Sequence, residues 1–165
     1  MRKSIPVLLL LAVALFAACN SGDDPTATAT PVPTDPNTLS DPQDALDAAR
    51  ALWAAEGGDD YEMTFNWQCF CIVDFVQRVD LEVRSNAISG GTVTDDGTAL
   101  PTDRLPDYQT ISELFDFIQD AIDRDAAEIR ISYAAAGYPD EVWIDYSEQI
   151  ADEERGFFIH SLTVS

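Results

Sequence analysis

The run YEMTFNWQCFC, residues 61–71, decides how this chain folds. Tyr61, Met63, Phe65, Trp67 and Cys69 alternate with Glu62, Thr64, Asn66 and Gln68. A period of two sends the first set to one face of an extended strand and the second to the other. The spacing therefore predicts a strand with one buried and one wet face. Two cysteines, Cys69 and Cys71, close the run, and the chain has one other, Cys19.

Working outward, a second strand is expected around Phe75–Arg84, with Val79, Leu81 and Val83 inward and Arg78, Asp80, Glu82 and Arg84 outward. Ser85-Asn86 reads as a tight turn into a third strand, Ala87–Thr94. Upstream, Asp41 caps a helix with Pro42 in its first turn, and Ala45, Leu46, Ala49, Leu52 and Trp53 form its apolar face up to Gly57-Gly58. Downstream, DDGTALPTDRLPDYQ is a loop. Thr110 and Glu113 then form a capping box ahead of a stripe of Ile111, Leu114, Phe115, Ile118 and Ile122. Strands follow at Glu128–Tyr133, Glu141–Tyr146 and Gly156–Val164.

Hairpins with one wet face and two one-sided helices imply an α+β fold. The expectation is one antiparallel sheet of five to six strands with both helices on its apolar face, in the order α-β-β-β-α-β-β-β. Tyr61, Phe65, Trp67, Leu114, Phe115, Ile118, Ile131 and Phe158 are expected in the core, and the shared element order suggests two similar halves.

The first nineteen residues, MRKSIPVLLLLAVALFAAC, join a basic start to an apolar core and a small-residue end. That is the pattern of a secretory signal, too short for a comfortable membrane span. LFAAC resembles a bacterial lipobox, although Phe16 stands where an aliphatic residue is usual; the resemblance implies lipidation of Cys19. Residues 1–18 are thus read as a signal peptide and 19–40 as a lipidated Cys19 with a Pro/Thr-rich linker. Residues 41–165 are read as one globular domain. The linker has almost no large apolar side chains and reaches about 65 Å when extended at ~3.1 Å per residue. The expected address is exported and extracytoplasmic, anchored by lipid to the cell membrane or the outer membrane.

With Cys19 assigned, Cys69 and Cys71 are left as an even pair in an exported chain. They are open to three readings: a redox pair, part of a metal site, or a disulfide staple. Export favours a disulfide. In an extended strand residues i and i+2 lie about 6.6 Å apart, so bonding requires a bend. A catalytic redox role more typically shows C-x-x-C, and a metal site wants more ligands than the distant His160 offers. The pair is read as a staple at the connection between the first two strands.

Thirty acidic residues against nine basic ones give a formal charge of −21, or −23 without Arg2 and Lys3. Such a charge argues against nucleic acid and against lying on an anionic bilayer, and suits cations or basic partners. No G-x-S-x-G elbow, H-E-x-x-H or phosphate-binding glycine loop occurs, so no cofactor or catalytic residue is assigned. His160 shares parity with Phe158 and Leu162 and reads as structural rather than as a base. Asp95-Asp96-Gly97 and Asp152-Glu153-Glu154 offer oxygen clusters to a cation, without EF-hand spacing. Tyr138, Trp143 and Asp145 form a candidate binding surface. Val142, Ile144 and Tyr146 take the core parity there and leave Trp143 outward, unless the loop SEQIADEERG covers it.

The CFC pair after an aromatic strand, TISELFDFI, GYPDEVWID and DEERGFFI occur in this order. Together they resemble a bacterial family of exported, often lipid-anchored proteins, domain of unknown function 6174, over roughly Ala51 to Leu162. That family tends to carry an Asp where Ala134 follows Tyr133 here, so any role of that Asp is not carried over. The resemblance implies a fold and an address but brings no activity. The expectation is a non-enzymatic envelope module that binds a partner protein. Cation binding is the alternative, and a paired-carboxylate hydrolase a weaker one.

Overall fold

The computed structural model describes residues 34–165. The expected signal peptide, the expected lipidation of Cys19 and most of the expected linker lie outside the described residues. Two short 3-10 turns lie at Pro36–Thr38 and Leu105–Asp107. The rest are α1 (Pro42–Glu56), β1 (Tyr61–Cys69), α2 (Val73–Val76), β2 (Val79–Arg84), β3 (Ala87–Val93), α3 (Ile111–Asp123), β4 (Glu128–Tyr133), β5 (Pro139–Asp145) and β6 (Arg155–Val164). No helix among the described residues is long and apolar enough to cross a membrane.

The strands form one six-stranded antiparallel sheet in the order β3-β2-β1-β6-β5-β4. The alternation in β1 is realised: Tyr61, Met63, Phe65 and Trp67 are buried, and the intervening polar side chains are not. Asp41 accepts from the Gln43 and Asp44 amides to start α1, and the Thr110–Glu113 capping box starts α3. The apolar faces of both helices join the strands' inward side chains in one core. Trp53 of α1 meets Tyr61 edge to face, and Phe117 of α3 lies 5.8 Å from Trp67. The Tyr61 hydroxyl, fully buried, accepts from the Ile111 amide at 2.7 Å, tying the first free N–H of α3 to the middle of the sheet.

Four sequence expectations need correction. The second strand begins at Val79, and Val73–Val76 is a helical turn instead. β2 pairs with β1 only from Tyr61 to Phe65, so the chain must travel back past the rest of β1 before pairing, and α2 takes up that length. Phe158 does not enter the core; Phe157 and Ile159 do. The β1–β6 register jumps from Thr64↔Ser161 to Phe65↔Ile159, which makes His160 an extra residue on β6 and reverses parity beyond it. Leu162 therefore packs on the core side while His160 does not. Ile131 is half-buried against the core rather than inside it.

The two halves share an element order but not a structural symmetry. β4 runs opposite to β1, while β6-β5-β4 keeps the left-to-right order of β3-β2-β1. Matching them by rotation would turn the sheet over and put α3 on the face opposite α1. Both helices lie on the same face. At the linker's end, Pro36 is buried and Asn37 donates to the Tyr133 carbonyl and accepts from its amide. Those residues pack on the domain and shield part of the β4 edge.

Two turns show why particular residues are needed. Ser85 and Asn86, at φ 51° and 56°, make a two-residue hairpin turn between β2 and β3. Gly137, at φ 89°, brings the β4–β5 turn so close to α1 that a Cβ would lie 2.6 Å from both the Ala49 carbonyl oxygen and the Leu52 Cβ. Gly97 has a similar φ of 71° but open space around it. Gly137→Ala should therefore cost about 3 kcal/mol by chemical denaturation, against about 1–2 kcal/mol for Gly97→Ala. Equal losses would show that α1 does not sit on this turn.

Burial raises the pKa of all five tyrosines above the usual 10.0. Tyr61 is pushed up to about 12 by burial, against the opposing pull of the Ile111 amide. A raised folded pKa leaves stability untouched below pH 10 and removes it as pH climbs from 10 toward 12. Absorbance titration at the tyrosinate band should show no ionisation centred at the ordinary value while circular dichroism stays native. A tyrosine titrating there in the folded chain would contradict this packing.

Candidate functional site

Because both helices cover one face of the sheet, the other face carries the outward residues of all six strands. Register places them in rows. Arg130 of β4 pairs with Trp143 of β5, Trp143 with Gly156 of β6, and Gly156 with Gln68 of β1. The next row runs Ser132, Glu141, Phe158 and Asn66. The Arg130 guanidinium lies 5.7 Å from the Trp143 ring centroid. Gly156 has no side chain to fill the space between Trp143 and Gln68, and a Cβ there would strike the Val142 carbonyl. The result is a shallow depression of about 360 Å³ lined by Gln68, Arg130, Ile131, Ser132, Glu141 and Trp143.

Of the proposed trio, Trp143 and Asp145 share the outward parity of β5 and Tyr138 does not. Trp143 is half-buried, and none of the residues lining the depression belongs to the loop 147–154. Tyr138 lies on the helix side, edge to face with Trp53 at 5.9 Å. Asp145 accepts from the Ser147 amide and helps to end β5. Sequence reading missed Gln68, Arg130 and Gly156. Their outward parity is readable in QC, EIRIS and RGF, but the register that lines them up is a property of the assembled sheet.

Next to this row, His160 Nε2 and Asn66 Oδ1 are 2.7 Å apart, and the Phe158 ring lies 5.8 Å from the imidazole. Ser161 Oγ donates to Thr64 Oγ1, which donates to Asp80. This relay crosses three strands and ends on a carboxylate without passing through the imidazole. Ser161 thus has no histidine base in its hydrogen-bond chain.

The two acidic clusters lie apart in use. Asp96 accepts from the Thr98 amide within its own turn, which lowers its carboxyl pKa. Asp152, Glu153 and Glu154 border a different cavity of about 480 Å³, together with Cys69 and Cys71. Among the described residues no group of three or more His, Cys, Asp or Glu side chains is arranged to hold a metal ion. Cys69 and Cys71 are bonded, with Cα atoms 5.2 Å apart, so the chain bends at Phe70. The bridge closes the end of β1 on itself and does not reach β2.

A six-stranded antiparallel sheet with two helices on one face and an open, aromatic-bearing opposite face defines an α+β module, and such a fold does not by itself set an activity. The chain belongs to the Family of unknown function (DUF6174), whose model matches residues 45–164. No curated protein matches it. No solved structure matches it.

Proposed function

We propose that this is a lipid-anchored protein of the cell envelope whose exported domain holds a partner protein through the helix-free face of its sheet. It performs no chemistry of its own. The observation that carries this reading is the Arg130–Trp143–Gly156–Gln68 row. Tryptophan and arginine dominate binding energy at protein interfaces, and here they stand side by side at a depression that the fold leaves uncovered. The formal charge of −21 supports a partner with basic groups around its contact surface.

The basic start, apolar core and LFAAC ending support export and acylation at Cys19. The Pro/Thr-rich residues that follow supply reach, so the open face can meet a partner clear of the lipid. A photo-crosslinker placed at Ser132, beside the depression, tests the reading in membranes of the native host. Trp143→Ala should move the Tm by less than about 3 °C yet reduce the crosslinked partner at least tenfold. An unchanged crosslink, or unfolding of the variant, would contradict it.

A further inference from the structure

The end of β1 carries a feature that partner binding does not use. Phe70 is 85 % exposed, Ile72 66 % and Val73 75 %, the largest run of bare apolar side chains among the described residues. The Cys69–Cys71 bond sits in the middle of it. Cys71 is exposed, while Cys69 is half-buried against the core. Cys69 pairs in register with Arg155 of β6, whose guanidinium lies on the same side of the sheet, 5.7 Å from the Trp67 ring centroid. Arg155 takes part in none of the ion pairs among the described residues.

As a staple this bond does little. Its partners are two residues apart, so it restrains a very short loop and removes little entropy from the unfolded chain. It links no two elements of the fold. An exposed Cys71 and a half-buried Cys69 paired in register with an arginine are instead an arrangement suited to thiol–disulfide exchange, and the apolar side chains beside them offer contact to a peptide.

We propose that Cys69–Cys71 is a surface redox centre that exchanges with a dithiol in an extended segment of another exported protein, held against Phe70, Ile72 and Val73. The segment's first thiolate attacks Cys71 Sγ. The Cys71–Cys69 bond breaks and its electron pair stays on Cys69 Sγ, as a thiolate beside Arg155. The segment's second thiolate then attacks its own sulfur in the mixed disulfide and releases the Cys71 thiolate. Both cysteines take up the protons the segment has lost. The segment is oxidised by two electrons to a disulfide, and Cys69 and Cys71 are reduced to thiols. Asp152, Glu153 and Glu154 border the same cavity and oppose thiolate formation, which leaves Arg155 as the compensating charge.

The oxidised full-length chain, mixed with a reduced unfolded peptide carrying two cysteines, tests this. One equivalent of peptide disulfide should form per chain, with circular dichroism unchanged and the Tm of the reduced product lowered by no more than about 5 °C. In the single variants, Cys69→Ser should form a mixed disulfide with an aromatic disulfide reagent at least about tenfold faster than Cys71→Ser. Arg155→Gln should slow the transfer severalfold without changing its stoichiometry. No transfer to the peptide, reduction only on unfolding, or equal rates for the two single variants would each overturn the proposal. It stands apart from the partner-binding reading: Trp143→Ala leaves the exchange intact if the two are separate.

Discussion

The whole arrangement depends on a sheet that is apolar on one face only. Tyr61, Met63, Phe65 and Trp67 of β1, with Val79, Leu81, Val83, Val142, Ile144, Phe157 and Ile159 on β2, β5 and β6, all point the same way. That face must be covered, and α1 and α3 are the two elements with a matching apolar stripe. Once both lie there, no long helix among the described residues is left to cover the other side. The bare face is thus a consequence of how the apolar residues are distributed, and Trp143 and Phe158 are aromatic side chains that stand on it.

The covered face is held in detail by polar devices set inside it. The Tyr61 hydroxyl takes the Ile111 amide, Trp67 donates its indole N–H to the Asp107 carbonyl, and the Thr110–Glu113 box serves the start of α3. Each satisfies a backbone group that burial would otherwise leave unpaired. The same burial is what raises the tyrosine pKa values. These bonds and the core thus occupy one side of the sheet, and the Arg130–Trp143 row stands on the other.

Much of this was legible in the sequence because it is local. Alternation in YEMTFNWQC, VDLEVR and EVWID marked the buried side of each strand, and the caps at Asp41 and Thr110 marked both helix starts. The even cysteine pair pointed to its bond at the end of β1. What failed was set by partners. The bulge at His160 exists because β1 and β6 meet with an extra residue on one side, so Phe158 and Phe157 exchanged places. The apolar stretch IVDFV suits strand or helix equally, and the geometry of the return to β2 chose the helix. Tyr138 lies only five positions from Trp143, but β5 begins between them and the two rings end on opposite faces.

Side-chain parity in β6 separates the core from the open face. Phe157 and Phe158 are neighbours of the same type, one fully buried between Phe65 and Trp67, the other on the open face beside His160. Chemical denaturation of Phe157→Ala and Phe158→Ala measures the separation directly. The account expects a loss of about 3–5 kcal/mol for Phe157→Ala and less than about 1 kcal/mol for Phe158→Ala. Similar losses for the two, or the larger one at Phe158, would contradict it.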